Sequence, residues 1–235
     1  MILHVGSTHD NQPKISSNQL GEYIFATPSR KIQILQNHKF GSKFCAPYYT
    51  PALEGIIRSF QNGRFSRDIL TDTIHTIESQ KPHKPYHIAK KKNNVQALKS
   101  FLEIGDDANP PLGDHKIISR NARVVIDGVA VSARPEIITE VKQEGLAAFT
   151  KLRISKSRAS ADAQEIVLLV LLHYGQQQSH DELVFSLEKT KLIDCFSKTI
   201  IAGHTIGRHR DHQLHKALAE IRTLWPTIKP RDESR

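Results

Sequence analysis

The sequence predicts an α/β (α+β) protein in which helices flank a central mixed β-sheet. Apolar residues recur at helical spacing before residue 105, and Val- and Ile-rich segments with strand-like alternation follow in the middle third. A nearly continuous apolar run, residues 166–172, indicates a helix buried against that sheet. The length of 235 residues suits one core with extensions better than two independent domains.

The composition points to an anionic partner. The chain carries 33 Lys and Arg against 24 Asp and Glu, a formal net charge of +9. Its two cysteines, Cys45 and Cys195, form no CxxC pair, which excludes a disulfide framework and a four-thiolate zinc site and favours the cytoplasm. We expect neither secretion nor membrane insertion, because no apolar run approaches the roughly 20 residues of a membrane span.

In chain order, residues 1–37 are predicted to be an extended lead-in, because the opening stretch is polar, turn-rich and without a sustained period. Helices are predicted over residues 50–60, which begin with Thr50 and Pro51, and over residues 66–79, and we expect the two to pack together. Residues 81–99 hold six lysines and no acidic residue. Two prolines favour an exposed loop there, after which Asn94 could cap a short helix over residues 95–104.

The second half is predicted to supply the sheet. Residues 122–138 alternate as two strands around a turn at Gly128, and residues 146–155 form a further strand. A helix follows through the apolar run and ends at Gly175. Residues 183–187 and 192–196 suit a hairpin. A basic C-terminal helix over residues 205–225 is stopped by Pro226.

Two short motifs stand on the predicted strands, Arg134-Pro135-Glu136-Ile137-Ile138 and Phe149-Thr150-Lys151. With these motifs and this order of elements, residues 38–200 resemble the PD-(D/E)XK nuclease superfamily, in particular its RecB- and Cas4-like branch. The resemblance implies a restriction-endonuclease-like core with a helical insertion around residues 66–105. Residues 201–235 would then be a basic C-terminal extension.

The resemblance also implies a site for phosphodiester hydrolysis. In that superfamily an acid on one strand and a Glu-x-Lys on the next bind Mg²⁺ and position a water. Phe149 stands where the second acid is expected, so an acid from another element would have to replace it, with Asp127 as a further candidate. The implied catalytic residues are Glu136, Lys151 and Glu165, and the implied ligands of Mg²⁺ or Mn²⁺ are Glu136, Glu54, Asp162 and His38. An inactive site would need no cofactor.

Alternatives to hydrolysis remain open. A Glu and a Lys on neighbouring strands often form an ordinary cross-strand ion pair. The chain could be a nucleic-acid-binding nuclease, or an inactive module or subunit of a larger nucleic-acid-bound complex, for example in a bacterial defence or mobile-element system. A third hypothesis is that the chain is a small α/β protein unrelated to nucleases, with a basic surface. The helix from Gln164 to Tyr174 resembles one that approaches DNA in the RecB-like branch.

Three basic segments could contact phosphates: residues 81–99, residues 151–158 and the C-terminal helix. If the three segments lie on one surface, they form a groove whose binding of nucleic acid weakens steeply as salt rises. If they lie on different surfaces, their charges only increase solubility. The candidate nucleic-acid-binding residues are Arg153, Lys156, Arg158, Lys90, Lys91, Lys92, Arg208, His212 and His215. The scarcity of aromatic residues favours contact with a duplex backbone over stacking of single strands. The expected nucleic acid is DNA rather than RNA. A protein partner is possible.

The histidines near the C-terminus raise the possibility of zinc. They are His204, His209, His212 and His215. No cysteine is nearby, and Arg208 and Arg210 add positive charge that opposes a cation, so a solvated basic face is the favoured interpretation.

Overall fold

The computed structural model describes residues 12–41, 48–60, 63–110, 113–117, 122–178 and 184–230. These residues form a mixed α/β protein, which confirms the predicted fold class. The helices are α1 (Ser17–Ile24), α2 (Pro28–Phe40), α3 (Thr50–Ser59), α4 (Arg67–Ser79), α5 (Pro85–Leu102), α6 (Ala161–Gln178) and α7 (Arg208–Leu224). The strands are β1 (Lys14–Ser16), β2 (Asp114–Ile117), β3 (Arg123–Ile126), β4 (Val129–Ser132), β5 (Ile137–Val141), β6 (Leu146–Arg153), β7 (Val184–Phe185), β8 (Lys191–Asp194) and β9 (Thr199–Ala202).

The larger sheet is built around β6. Its strand order is β2-β5-β6-β8-β9, with β7 pairing beside the first residues of β6. β5 runs antiparallel to β6, and α6 crosses over to bring β8 parallel to β6. A smaller sheet has the order β1-β4-β3, and the predicted turn at Gly128 joins β3 to β4. The two motif-bearing segments therefore meet on adjacent strands.

The apolar interior lies on both faces of the larger sheet. One cluster joins α1, α2, α6, α7 and the smaller sheet to residues such as Phe149 and Leu192. The other joins α3, α4 and α5 to residues such as Leu152 and Ile193. Successive strand residues point to opposite faces, so neighbours in sequence enter different clusters. The expected single core is thus divided by the sheet.

The N-terminal segment contradicts the predicted extended lead-in from residue 17 onward. The Ser16 side chain accepts a hydrogen bond from the Gln19 N–H at the start of α1, and Thr27 accepts one from the Arg30 N–H at the start of α2. α1 has 8 residues and α2 has 13, and capping together with tertiary burial stabilises them. α1 is amphipathic but spans only eight residues, and α2 carries little helical periodicity. Residues 1–11 and Cys45 lie outside the described residues.

The lysine-rich segment is helical from Pro85, whereas a loop was predicted there. Asn94 is not a cap but a buried residue in the middle of α5. Its side chain accepts from the Ala52 N–H and donates to the carbonyls of Tyr48 and Lys90. These bonds fix α5 against the start of α3. The predicted packing of α3 against α4 is confirmed.

The region after α6 differs from the prediction in two ways. β7 and β8 do not form a hairpin, because each pairs with β6 in parallel, and the hairpin observed is that of β8 and β9. α6 continues through Gly175 to Gln178. A Cβ at Gly175 would lie 2.3 Å from Cγ of Phe185, so the glycine serves close packing rather than helix termination. Among the described residues, no helix combines the length and apolarity of a membrane span.

Candidate nucleic-acid interface and nuclease-like site

Glu136 and Lys151 face each other where β5 begins. The Glu136 N–H donates to the carbonyl of Thr150 at 3.0 Å, which places Glu136 beside Lys151. The Lys151 Nζ lies 3.3 Å from Glu136 Oε1 and donates to the Arg134 carbonyl at 2.5 Å. Glu136 Oε2 accepts from the Leu152 N–H at 2.6 Å. Only 13% of the Glu136 side chain and 6% of the Lys151 side chain are exposed.

This ion pair is therefore largely shielded from solvent, and its polar atoms are hydrogen-bonded within the protein. Burial raises the pKa of Glu136, while the Lys151 charge and the Leu152 N–H act in the opposite direction. Cys195 lies nearby, in the apolar cluster on the other face of the sheet. Burial, together with the charges of Asp194 and Glu136, raises the pKa of its thiol. A buried thiol of this kind is inert as a nucleophile.

Phe149 occupies the position of the second acid and belongs to the core. It is 3% exposed, and its ring centroid lies 4.6 Å from that of Phe185 and 5.5 Å from that of Tyr174. Lys151 follows two residues later on the same face of β6. The position two residues before Lys151 on this face therefore holds an aromatic ring instead of a carboxylate.

The candidate replacement acids are engaged or exposed elsewhere. Asp162 and Glu165, in the first turns of α6, both bind the buried Arg210 of α7, with Arg210 Nε 2.7 Å from Glu165 Oε2. Glu54 is exposed on α3. Asp127, at the β3–β4 turn, contacts His215. In the described part of the chain, no hydrogen bond or ion pair joins any of these four acids to Glu136.

These residues do not fit a magnesium site. Mg²⁺ requires several oxygen ligands in near-octahedral geometry. Glu136, the one carboxylate of the pair, has both oxygens bonded to protein donors, and the Lys151 ammonium opposes a cation there.

His38, the implied metal-binding histidine, lies on α2, and nothing in the described residues bonds it to Glu136. Burial and the neighbouring charge of Lys14 lower its pKa from 6.5 to about 4. His38 is therefore neutral in the folded protein at pH values where the unfolded chain would protonate it.

We expect acidification to destabilise the protein through His38. Between pH 6.5 and about 4, the unfolded chain protonates this histidine and the folded protein does not. The free energy of unfolding is therefore highest above pH 6.5 and falls as the pH drops through this range. The loss is at most roughly 3 kcal/mol. Urea unfolding of His38→Gln between pH 4 and 8 should show a flatter profile than wild type. His83→Gln, at an exposed position, is the control, and identical profiles for wild type and His38→Gln would contradict the assignment.

A second polar cluster lies at the start of α6. Asp194, which is buried, accepts from Arg153 Nη1 at 2.5 Å and from the Ser197 N–H at 3.2 Å. Gln164 Nε2 approaches the same carboxylate at 3.4 Å, and Gln164 Oε1 has no hydrogen-bond partner in the described structure. Arg153, which was predicted to bind nucleic acid, therefore forms an ion pair with Asp194. Sequence reasoning missed Asp194, whose only signal is an acid within an apolar strand.

Two of the three basic segments share a surface. Lys156, just after β6, donates to Asn93 Oδ1 of α5 at 2.7 Å, and Asn93 Nδ2 donates to the Tyr48 hydroxyl at 2.8 Å. Aromatic rings continue this surface, with centroid distances of 5.8 Å for Tyr48–Tyr86 and 5.7 Å for Tyr49–Phe196. We call this surface the basic–aromatic face; it comprises Tyr48, Tyr49, Tyr86, Asn93, Lys156 and Phe196.

An open cleft of about 510 Å³ lies beside the basic–aromatic face. Its lining includes Lys81, His87, Lys90 and Lys91. Lys91 Nζ donates to the carbonyls of Glu78 and Gln80 at the end of α4, so its charge is partly used to hold that helix. Lys92 and Arg158 are exposed.

The third basic segment, α7, does not join this surface. α7 packs in the core on the face of the sheet opposite α5. Arg208 and His212 are exposed there, while His215 contacts Asp127. One groove formed by all three segments is therefore not observed.

No protein-family model matches the chain, and no curated protein is similar in sequence. The resemblance to the PD-(D/E)XK superfamily remains a prediction from Glu136, Lys151 and the order of elements.

Proposed function

We propose that this protein binds nucleic acid through the basic–aromatic face and does not hydrolyse it with the Glu136–Lys151 pair. The observation that carries the proposal is the hydrogen-bonded chain Lys156–Asn93–Tyr48, because it joins two separate basic segments and an aromatic cluster on one surface. Cations that neutralise phosphates, combined with rings that accept bases, are the parts of a nucleic-acid-binding surface.

Exposed cations that neighbour this face in the sequence, together with Lys156 within it, supply the phosphate contacts. Lys84 and Lys92 are exposed on or beside α5, and Lys156 and Arg158 are exposed after β6. Lysines that neutralise phosphates release condensed counterions, so binding weakens as salt rises. This accounts for affinity without sequence preference.

Tyr86 offers a ring on which a base can stack. Tyr86 is 49% exposed, and its ring stands edge-on to Tyr48 and His87. Stacking of an unpaired base on such a ring contributes about 1–3 kcal/mol. A duplex end or a single strand could use this ring, whereas an intact duplex would use the cations alone.

The lack of hydrolysis follows from the engaged carboxylates. Glu136 holds Lys151 and the Leu152 N–H, Asp162 and Glu165 hold Arg210, and Phe149 fills the position of the second acid. In this arrangement Lys151 is a structural partner of Glu136.

The test is equilibrium binding of fluorescently labelled duplex DNA, single-stranded DNA and RNA over a range of salt. In the variant Lys84→Gln/Lys92→Gln/Lys156→Gln, we expect the slope of log affinity against log salt to fall by up to about 3. The matched control, Lys142→Gln/Lys216→Gln/Lys229→Gln, removes the same charge at exposed positions elsewhere and should retain the wild-type slope.

Two outcomes would contradict the proposal. One is the absence of binding by wild type at low salt. The other is an equal loss in both triple variants, which would show that net charge alone, rather than this face, attracts the nucleic acid.

Tyr86→Ala should weaken binding of single strands more than binding of duplex.

A further inference from the structure

His173, Asp211 and His215 converge where α6 packs against α7. His173 Nε2 lies 3.8 Å from Asp211 Oδ1, and His215 Nε2 lies 3.6 Å from the same oxygen. One ligand atom from each residue lies within 4.8 Å of the others. Asp211 and His215 are one helical turn apart, whereas His173 comes from another helix, so the cluster exists only in the folded chain.

Asp127 orients one of these rings. Its Oδ2 lies 2.6 Å from His215 Nδ1, on the side of the ring opposite Asp211. The Asp127 carbonyl accepts in turn from Arg222 Nη1 at 3.3 Å. A neutral His215 that donates its Nδ1 proton to Asp127 has its Nε2 lone pair directed at the cluster. Carboxylates hold metal-binding histidines in this way, and they also raise the basicity of the ring.

His173 provides an independent observation. Its Nε2 is buried and has no hydrogen-bond partner among the described residues, since 3.8 Å to Asp211 is too long for a hydrogen bond. A buried polar atom without a partner destabilises the folded chain. A cation between His173 and Asp211 would satisfy this nitrogen.

We propose that Nε2 of His173, Nε2 of His215 and Oδ1 of Asp211 bind a divalent transition-metal ion of the Zn²⁺ class. Two imidazoles and one carboxylate suit Zn²⁺ better than Mg²⁺, which prefers oxygen ligands. In a tetrahedral zinc site the ligand atoms are about 3.3 Å apart, so the 3.6 and 3.8 Å distances to Asp211 Oδ1 require only a small contraction. The two histidine nitrogens lie within 4.8 Å of each other and would have to move closer together on binding. The fourth position is open to water.

The bound ion would link three elements of one core. It would tie α6 to α7 directly and, through Asp127, tie both to the β3–β4 turn. The site shares no residue with the basic–aromatic face, so the zinc proposal does not depend on the nucleic-acid proposal. The site also differs from the group of C-terminal histidines that the sequence suggested. His212 is exposed, and of that group only His215 belongs to the site.

The test is zinc binding by tag-free, chelator-treated protein, measured by competition with a chromophoric chelator and by thermal unfolding. We expect one Zn²⁺ per chain, a higher Tm with Zn²⁺ but not with Mg²⁺, and loss of both effects in His173→Gln and in Asp211→Asn. Asp211 is exposed, so Asp211→Asn tests the site without disturbing the core. Asp127→Asn should weaken binding about 10- to 100-fold.

His212→Gln is the matched control, because it removes an exposed histidine from the same helix. It should bind Zn²⁺ as wild type does. The proposal is overturned if wild type binds no Zn²⁺, if Asp211→Asn binds as tightly as wild type, or if His212→Gln loses the ion.

Discussion

Glu136→Ala is expected to lower the free energy of unfolding by roughly 3–5 kcal/mol, because it leaves Lys151 as an unpaired buried charge. The Lys151 ammonium would keep only the Arg134 carbonyl, and the Leu152 N–H would lose its acceptor. Urea unfolding followed by circular dichroism measures the change. This loss is large relative to the 5–15 kcal/mol stability typical of natural domains.

Two comparisons separate a structural pair from a catalytic one. Glu54→Ala removes an exposed acid and should change stability by less than about 0.5 kcal/mol. Glu136→Leu/Lys151→Met removes both charges and should recover most of the stability lost in Glu136→Ala, because well-packed apolar residues can replace a buried ion pair. Wild-type stability in Glu136→Ala would contradict the structural role.

Phe149→Glu is the second variant with a large expected effect. It creates the Glu-x-Lys motif, yet we expect it to lose roughly 4 kcal/mol or more and to gain no metal-dependent cleavage. The new carboxylate would replace a ring packed between Tyr174 and Phe185, with no charged partner except a lysine that already holds Glu136.

Phe149→Leu is the control for this variant. It keeps the site apolar and should cost less than half as much in urea unfolding. A Phe149→Glu protein that is as stable as wild type and cleaves DNA with Mg²⁺ would show that the chain is a nuclease lacking a single ligand, contrary to the proposed function.

The sequence predicted those parts of the fold whose signal is local. Alternation located β3, β4 and β6, and the apolar run located α6, because a buried strand or helix imposes its own period on the sequence. α1 was missed because its apolar period spans only eight residues, and α2 because it carries little helical periodicity. The pairing of β7 with β6 could not be predicted, since strand partners are chosen by the tertiary structure.

The candidate site was predictable to the same extent. Glu136 and Lys151 could be expected to approach each other, because their motifs lie on strands that were adjacent in the implied core. The engagement of Asp162 and Glu165 by Arg210 could not, because it depends on how α7 packs against α6. The same contact between helices creates the cluster of His173 with Asp211 and His215.

The most direct measurement incubates labelled duplex DNA with the protein at low salt, in Mg²⁺, in Mn²⁺ or in EDTA, and reads binding and cleavage in the same samples. We expect salt-sensitive binding with intact DNA under all three conditions, for wild type and for Glu136→Gln. Metal-dependent cleavage by wild type that is lost in Glu136→Gln would contradict the proposal and assign this pair to catalysis.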